Sequence, residues 1–238
     1  HVGFRYAADL YNTKVTNIEV STIAGVPIIE LKKTPLDGWG RIAKRTGDIV
    51  LAFIGMIVLS PFFLLIALVI RLDSRGPVFV RLPRVGESGR LFHIVKFRSM
   101  IAGAHAMKSE LLEYNERKDG PLFKMKNDPR VTRIGRMLRR TSIDELPNLM
   151  NVLTGQMSLV GPRPHEPEEV KRYERHERKL LSIRPGITGM AQVSGRADLS
   201  FAEEVQLDTF YIENWSPRLD LLIFVRTLMV VIRGRASV

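Results

Sequence analysis

Cysteine is absent from the 238 residues of this chain, which excludes a disulfide framework and a thiolate metal site. No Gly-Lys-Ser/Thr phosphate loop occurs, so a P-loop nucleotide site is excluded as well. The five histidines lack the spacing that metal ligands show. Repeats and low-complexity tracts are missing, and only one long apolar run is present. Any chemistry must therefore come from carboxylates, cations and neutral polar groups beside a single membrane-sized segment.

That apolar run extends from Ile49 to Ile70, 22 residues without a charge. At about 1.5 Å per residue, a helix of this length can cross a hydrocarbon layer of about 30 Å. Pro61, however, removes a backbone donor near its middle, and the Ser60 hydroxyl can supply a replacement bond. Basic residues, which favour the cytoplasmic side, flank the run at both ends: Lys44, Arg45, Arg71 and Arg75. The pattern predicts a helix-break-helix segment that enters one leaflet and returns; a kinked single span and a buried core helix remain alternatives.

The net charge of +11 is concentrated directly after this segment. Residues 71–145 hold 17 lysines and arginines against 9 aspartates and glutamates, so they suit anionic headgroups or an anionic substrate. Nucleic acid is the other usual partner of so basic a chain. Zinc-finger spacing and aromatic residues placed for base stacking are missing, and we expect no nucleic-acid partner. A basic, membrane-anchored scaffold that binds lipid or nucleic acid without catalysis stays as the alternative.

Local patterns predict an α+β fold, a helix-rich domain at the membrane surface with a small β-hairpin. The hairpin strands are expected at 77–82 and 90–97, around a Gly86–Gly89 turn, and an earlier strand at 25–31. Helices are expected at 101–118, from Asp128-Pro129, from Pro147, at 165–181, from a Ser200–Glu203 capping box to about 214, and at 218–233. The last helix either lies flat on the bilayer or packs into the core.

The densest group of candidate catalytic residues lies between Arg139 and Pro147. Arg139 and Arg140 offer planar forks for phosphate oxygens, and a helix that begins at Pro147 supplies free N–H groups. The adjacent carboxylates of Asp144 and Glu145 can hold Mg²⁺ or attack phosphorus. Glu145 can also be read as a capping residue, but that register places Pro147 inside the helix at a cost of about 3 kcal/mol. Phosphoryl transfer and a structural role both remain open here.

Three further stretches are weaker signals on their own. Arginines recur every third residue from Arg130 to Arg139, which is typical of a solvated basic face. Gly161-Pro-Arg-Pro164 is a rigid turn that presents Arg163. The stretch from Arg184 to Arg196 has three glycines and can approach a nucleotide closely.

Read in order, the motifs resemble those of the bacterial sugar transferases, the monotopic polyprenyl-phosphate phosphoglycosyl transferases, over residues 41–238. The motifs after the Ser-Pro-broken run are Lys96-Phe-Arg-Ser-Met100, Asn127-Asp-Pro-Arg130, Arg139-Arg-Thr-Ser-Ile-Asp-Glu-Leu-Pro147, Ser158-Leu-Val-Gly-Pro-Arg-Pro164 and Arg184-Pro-Gly-Ile-Thr-Gly-Met-Ala-Gln-Val-Ser-Gly-Arg196. Mild departures from the family pattern occur at Val85, Ile143 and Asn148.

The resemblance implies an enzyme that transfers a sugar-1-phosphate from a UDP-sugar to undecaprenyl phosphate and releases UMP. In the family's mechanism Asp144 attacks the β-phosphate to give a covalent phosphosugar, and the lipid phosphate then accepts it. Glu145 would bind Mg²⁺ and Arg139 would hold phosphate. The remaining residues that match motif positions in the anionic or nucleotide site are Arg140, Lys96, Arg98, Arg163, Gln192 and Arg196. Glucose or galactose is the expected sugar, as in exopolysaccharide or O-antigen members.

The resemblance also implies an organisation and a location. Residues 1–40 would be the tail of an upstream domain with a linker, and we expect the chain to be the C-terminal part of a longer protein. Residues 41–76 would form the basic flank and the re-entrant helix, with its break at Ser60-Pro61. Residues 77–238 would form the cytosolic catalytic domain, at the cytoplasmic face of a bacterial inner membrane. The expected partners are the two substrates, the lipid of one leaflet and possible further copies of the chain.

Overall fold

The computed structural model describes residues 18–23, 26–31, 34–36, 38–101, 103–104, 107, 110–116, 119–123, 125, 127–195 and 199–232. Its strands pair two by two: β1 (Ile18–Ile23) with β2 (Val26–Leu31), β3 (Phe79–Val85) with β4 (Leu91–Phe97), and β5 (Ser158–Val160) with β6 (Gly186–Thr188). Its α-helices are α1 (Trp39–Asp73), α2 (Arg133–Arg140), α3 (Leu149–Leu153), α4 (Pro167–Val170), α5 (Met190–Ser194), α6 (Phe201–Glu213) and α7 (Pro217–Ile232). The mixed α+β, helix-rich class is confirmed.

Helix α1 is long and apolar enough to cross a membrane, by length and composition, and among the described residues it is the single helix of that kind. One stripe of α1 packs against the domain, with contacts at every third or fourth position: Arg45, Asp48, Ala52, Met56, Leu59, Phe63, Ile66 and Ile70. This is the spacing of one helical face. The other faces leave large apolar side chains exposed, including Leu64 at 75%, which suits contact with lipid.

The predicted break at Ser60-Pro61 does not interrupt α1, which is helical from Trp39 to Asp73 with Pro61 inside it. Pro61 cannot donate to the carbonyl of Ile57, four residues earlier. The Ser60 hydroxyl donates to that carbonyl instead, at 2.8 Å, which is the bond that the sequence analysis expected it to supply. The expectation of two separate helices is therefore wrong, because the orphaned acceptor is satisfied locally. Entry of the helix into a single leaflet stays a prediction.

The predicted hairpin is confirmed as β3 and β4, which pair antiparallel from Phe79–Phe97 to Val85–Leu91. Strand β4 packs on a 3₁₀-helix at Ile143–Asn148, the segment that contains the candidate carboxylates. Under this contact lies a small apolar cluster of Ile66, Ile70, Phe97 and Leu138. Helix α1, the hairpin and the acidic segment thus share one core.

The parallel pair of β5 and β6 was not predicted. Ser158 is opposite Gly186, and Val160 is opposite Thr188. The backbone just after β5 approaches the backbone around the start of β6 closely. A Cβ on Gly161 would lie 3.0 Å from the Gly186 amide nitrogen and closer still to the Arg184 carbonyl. Glycine is therefore required at this point, and the pair joins two of the sequence motifs. The expected strand at 25–31 is confirmed as β2, with β1 as a partner that the sequence analysis missed.

Two predicted helices are wrong. One does not form in its described part, and the other begins later than expected. In the described part of 101–118 the chain forms turns and a short 3₁₀-helix at Leu112–Tyr114, since helical propensity alone does not hold a helix without packing. The helix expected from Asp128-Pro129 begins later, at Arg133, because the Thr132 hydroxyl caps it by accepting the Gly135 N–H at 2.9 Å. The Asp128 carboxylate does not cap this helix, because it forms a buried ion pair with the Arg130 guanidinium, at 2.6 and 2.8 Å.

Two other helices differ in extent. Pro147 does not begin a helix but lies inside the 3₁₀-helix, and α3 follows from Leu149. The helix expected at 165–181 is divided into α4 and a 3₁₀-helix at Glu177–Ser182, because Glu166 opens α4 with its own capping box to Glu169 and the chain turns after it. Charge pattern alone therefore overestimated the length of helix in this region.

The last two helices are confirmed. Helix α6 opens with the predicted capping box, in which Ser200 and Glu203 exchange bonds. Helix α7 buries Ile223 in the main apolar cluster with Tyr211 and Trp215. It also exposes apolar side chains on its outer side: Leu221, Leu222, Phe224, Val225, Leu228 and Met229. One face of α7 thus belongs to the core, and the other is available to a bilayer.

Candidate active site

The acidic segment is placed by a sharp turn between α2 and the 3₁₀-helix. Ser142 adopts a left-handed conformation with φ 54°, which costs a non-glycine residue about 1–3 kcal/mol. No side-chain capping bond forms at Ser142, so the capping-box alternative for Glu145 is not what the structure contains. The turn leaves Asp144 and Glu145 in the first turn of the 3₁₀-helix, facing strand β4. Both carboxylates are thereby directed to the domain interior rather than used as caps.

Asp144 is 7% exposed and lies among charges of both signs. Burial raises the pKa of its carboxyl to about 6; Lys96 opposes this rise, Glu145 adds to it, and Arg139 and Arg163 oppose it. Desolvation disfavours a carboxylate, while neighbouring cations favour it. The result is a carboxylate that is ionised near neutral pH yet poorly solvated, a suitable state for a nucleophile.

Lys96 donates to the Glu145 carboxylate at 2.6 Å. Both side chains line one cavity together with Arg163, Gln192 and Arg84. Four of the predicted site residues therefore meet in one place, although they come from four separate motifs. Cations from different elements that converge beside a buried carboxylate provide what binding of a diphosphate requires.

Arg139 lies beside this cavity and is held by Ser99. Its Nε donates to the Ser99 hydroxyl at 3.1 Å. Burial lowers the pKa of the Arg139 guanidinium, and the charge of Asp144 raises it. Helix α2 reaches this position because Gly135 lies directly against the Ser99 backbone, where a Cβ would not fit. One part of the guanidinium is thus anchored, and the charge is directed at Asp144.

The predicted residues Arg98 and Arg140 do not line the cavity. Arg98 is 4% exposed and donates to the Ser74 carbonyl at 2.6 Å and the Arg75 carbonyl at 3.1 Å, so it fastens the end of α1 rather than facing the anionic site. Arg140 is exposed at the end of α2. Arg196 lies outside the described residues.

Two residues near the cavity were not singled out from the sequence. Arg84 lines it from β3 and forms an ion pair with Glu166 at 3.3 Å. Asp208 of α6 accepts the Ala191 N–H at 3.2 Å and is fully buried beneath the Arg163 backbone, and burial raises the pKa of its carboxyl to about 7. Neither residue belongs to one of the sequence motifs, so only the folded structure shows that they lie near the cavity.

The fit of Mg²⁺ depends on Asp144 and Glu145. In the part of the chain that the structure describes, no group of three or more His, Cys, Asp or Glu side chains forms a metal cage. Mg²⁺ is usually held by one or two carboxylates, water and substrate phosphates, and the adjacent pair at the cavity fits that arrangement. A cation bound there would share Glu145 with Lys96.

Comparison with known proteins gives relatives in two length classes. The undecaprenyl-phosphate galactose phosphotransferase of Salmonella typhimurium is 39% identical over 230 residues, which are 94% of this chain and 47% of that protein. The UDP-glucose:undecaprenyl-phosphate glucose-1-phosphate transferase of Escherichia coli is 39% identical over 92% of this chain and 47% of its own length. The exopolysaccharide production protein ExoY of Sinorhizobium fredii is 39% identical over 83% of this chain and 89% of its own.

The chain thus spans less than half the length of the longer relatives and nearly all of the shorter one. The family model described as bacterial sugar transferase matches residues 39–234. This match begins at the first residue of α1 and ends just beyond α7, so it includes the membrane helix and every residue that lines the cavity. The chain belongs to the bacterial sugar transferase family.

Proposed function

We propose that this chain transfers a hexose-1-phosphate from a UDP-sugar, with glucose or galactose as the sugar, to undecaprenyl phosphate. The products are undecaprenyl diphosphate-sugar and UMP, in the first membrane step of exopolysaccharide or O-antigen synthesis. The observation that carries the proposal is the buried Asp144 carboxylate beside Lys96, Arg139 and Arg163. The relatives named for glucose and galactose transfer to undecaprenyl phosphate support the choice of substrates.

In the first half-reaction an Asp144 carboxylate oxygen attacks the β-phosphorus of the donor. A P–O bond forms to the carboxylate, and the bond from the β-phosphorus to the bridging oxygen breaks, so that UMP leaves with that oxygen. The surrounding cations favour this step because they stabilise the charge that develops on the phosphoryl oxygens. Glu145 and the donor's phosphates would hold Mg²⁺, which neutralises part of the diphosphate charge when bound.

In the second half-reaction a phosphate oxygen of undecaprenyl phosphate attacks the same phosphorus. The new P–O bond forms as the acyl phosphate bond breaks, which restores the Asp144 carboxylate and releases the lipid diphosphate-sugar. A covalent intermediate allows two anionic substrates to use one basic cavity in turn. Simultaneous binding would instead place their negative charges close together.

The lipid acceptor requires the site to lie at the membrane surface. We propose that α1 enters one leaflet of a bacterial inner membrane and that the catalytic domain faces the cytoplasm. The exposed apolar faces of α1 and the exposed outer face of α7 support contact with lipid. Arg226, exposed on α7, suits the headgroup region, because a long cationic side chain can extend from an apolar face to the interface.

The first prediction tests the nucleophile. Asp144→Asn should lower UMP release from UDP-glucose and UDP-galactose, with undecaprenyl phosphate as acceptor, by about three orders of magnitude or more, because an amide cannot form the acyl phosphate. Asp73→Asn is the matched control, since Asp73 is exposed at the end of α1. Intact-mass measurement of donor-treated native chain without acceptor should find a hexose-phosphate adduct, and Asp144→Asn should lack it. Unchanged UMP release by Asp144→Asn would refute the proposed mechanism.

A further inference from the structure

Asn148 is the last residue of the 3₁₀-helix that carries the catalytic carboxylates. It is 2% exposed and lines the same cavity as Lys96 and Glu145. Its side-chain oxygen has no hydrogen-bond partner among the residues that the structure describes. A buried amide oxygen without a hydrogen-bond partner costs free energy, and native folds keep few such groups. An unmet amide on a cavity wall beside a nucleophile therefore points to a ligand that completes it.

Asn151, three residues further along, shows that this segment can satisfy an amide when the fold requires it. Its side chain donates to the His93 carbonyl and the Gln156 side chain, both at 2.7 Å, and accepts the Val95 N–H at 3.1 Å. Both asparagines are buried, but Asn151 is bonded on every side within the protein. The difference indicates that Asn151 serves the fold and that Asn148 is kept for another purpose.

Helical geometry places Asn148 on the same side of the 3₁₀-helix as Glu145, the carboxylate that lines the cavity. A 3₁₀-helix has three residues per turn and rises about 2.0 Å per residue. Glu145 and Asn148 thus lie on one face of the helix, about 6 Å apart along its axis. A substrate whose phosphates bind beside Glu145 therefore meets the amide of Asn148 on the same cavity wall.

The cavity lining divides by chemistry, which decides what Asn148 can bind. Its charged side chains are Arg84, Lys96, Glu145 and Arg163, and the three cations among them suit the phosphates of the donor. Its uncharged part combines the amides of Asn148 and Gln192 with apolar side chains of Ile94, Met157 and Ile187. A hydroxyl both donates and accepts, as an amide does, and apolar side chains pack on the C–H groups between hydroxyls. A hexose matches this uncharged part.

We propose that Asn148 is a specificity-determining residue whose amide binds one hydroxyl of the hexose in the donor. The inference rests on the proposed function and adds to it the contact that distinguishes one UDP-hexose from another. Loss of one neutral hydrogen bond to a substrate hydroxyl corresponds to a decrease of about tenfold in kcat/KM.

The test is a double-mutant cycle between protein and substrate. UMP release is measured for the native chain and for Asn148→Leu, with the preferred UDP-hexose and with its 2-, 3-, 4- and 6-deoxy analogues. One deoxygenation should cost the native chain about tenfold in kcat/KM and should cost Asn148→Leu nothing further. Asn214→Leu, at an exposed amide that ends α6, is the matched control and should keep the native response to every analogue.

The assignment would be overturned if each deoxy analogue lowered kcat/KM by the same factor in Asn148→Leu as in the native chain. A variant whose only change is a higher Mg²⁺ concentration for half-maximal rate would overturn it too, since Asn148 would then be a metal ligand. If Asn148→Leu does not fold, the native chain alone decides: a loss of kcat/KM below about twofold with every analogue would overturn the proposal.

Failure of the proposed function gives a different result. Absence of UMP release from any UDP-hexose by the native chain would overturn the proposed function as well, whereas an active chain with an additive cycle refutes only the role of Asn148.

Discussion

Residue by residue, the site is dominated by the competition between burial and charge at Asp144. Burial raises the pKa of its carboxyl, and the Lys96 ammonium is the largest opposing influence. Because Lys96 also donates to Glu145, the same cation compensates both carboxylates before any substrate binds. The ionised nucleophile on the 3₁₀-helix therefore depends on a residue from strand β4, which belongs to a different motif.

The pH dependence of activity should report this competition. The acid limb of kcat/KM for UMP release in the native chain should follow the ionisation of Asp144, with a pKa of about 6. Lys96→Met removes the cation that lowers this pKa, so the limb should move to higher pH as the rate falls. Rates measured from pH 5 to pH 9 test this, with Lys171→Met, an exposed lysine, as the control. An unshifted acid limb in Lys96→Met would contradict the assignment of Asp144.

The sequence predicted Asp144, Glu145, Lys96 and Arg163 because phosphate chemistry needs those residue types and the motifs occur in family order. It could not distinguish Arg98 from Lys96, two residues apart on the chain. Alternation along a strand would place residues two apart on the same side. Arg98, however, lies just beyond the end of β4, and only the packed structure shows that it meets the end of α1. The unmet amide of Asn148 is likewise visible only when all its neighbours are known.

Among the elements, α1 has the most unusual role, since both of its ends contact the same domain. Near its start, Arg45 donates to the Val152 carbonyl at 2.6 Å and Asp48 accepts from the Ser158 hydroxyl at 2.7 Å. Near its end, Ile70 packs on Phe97. A straight span with its ends in two aqueous phases would draw this polar domain into the hydrocarbon, which is prohibitively costly. The packing therefore favours a helix whose two ends lie on one side.

Cysteine labelling tests this topology directly, because the native chain contains no cysteine. Single cysteines at Thr46 and Asp73, both exposed near the ends of the apolar run, should react with an impermeant maleimide from the same, cytoplasmic side. A cysteine at Leu64, in the middle of the exposed apolar face, should react in neither orientation of the vesicles. Labelling of Thr46 and Asp73 from opposite sides would show a true span.

The elements also show where local pattern is sufficient. Helix α6 was predicted to within a residue because its capping box is a local signal that tertiary packing did not need to change. The stretches at 101–118 and 165–181 carry charges and good helix formers without a continuous apolar stripe. In their described parts the chain path is set by contacts elsewhere, such as the bond from the Ile101 N–H to the Arg130 carbonyl at 2.9 Å. Distant partners of this kind cannot be read from spacing.

At the scale of the whole molecule, one buried carboxylate connects the site with the helical core. Asp208 on α6 accepts the backbone N–H of Ala191 in α5, at 3.2 Å. It thereby fixes α5, whose Gln192 lines the cavity. Burial raises the pKa of Asp208 to about 7, far above the ordinary value of about 3.9. The stability of the protein must therefore depend on pH through this group.

Between pH 4 and pH 7 the folded state keeps a proton on Asp208 that the unfolded state releases, so its contribution to the free energy of unfolding decreases as pH rises through this window. Below about pH 4 both states are protonated and the contribution is complete. Asp208→Asn cannot titrate, and its stability relative to the native chain should rise from pH 5 to pH 7 and then level off. Unfolding midpoints in detergent at pH 5, 6, 7 and 8 measure this, and Asp73→Asn should run parallel to the native chain. Parallel curves for Asp208→Asn would mean that the native carboxylate is already ionised at pH 5, and that the contact of α6 with the Ala191 N–H is made by a charge rather than by a neutral acid.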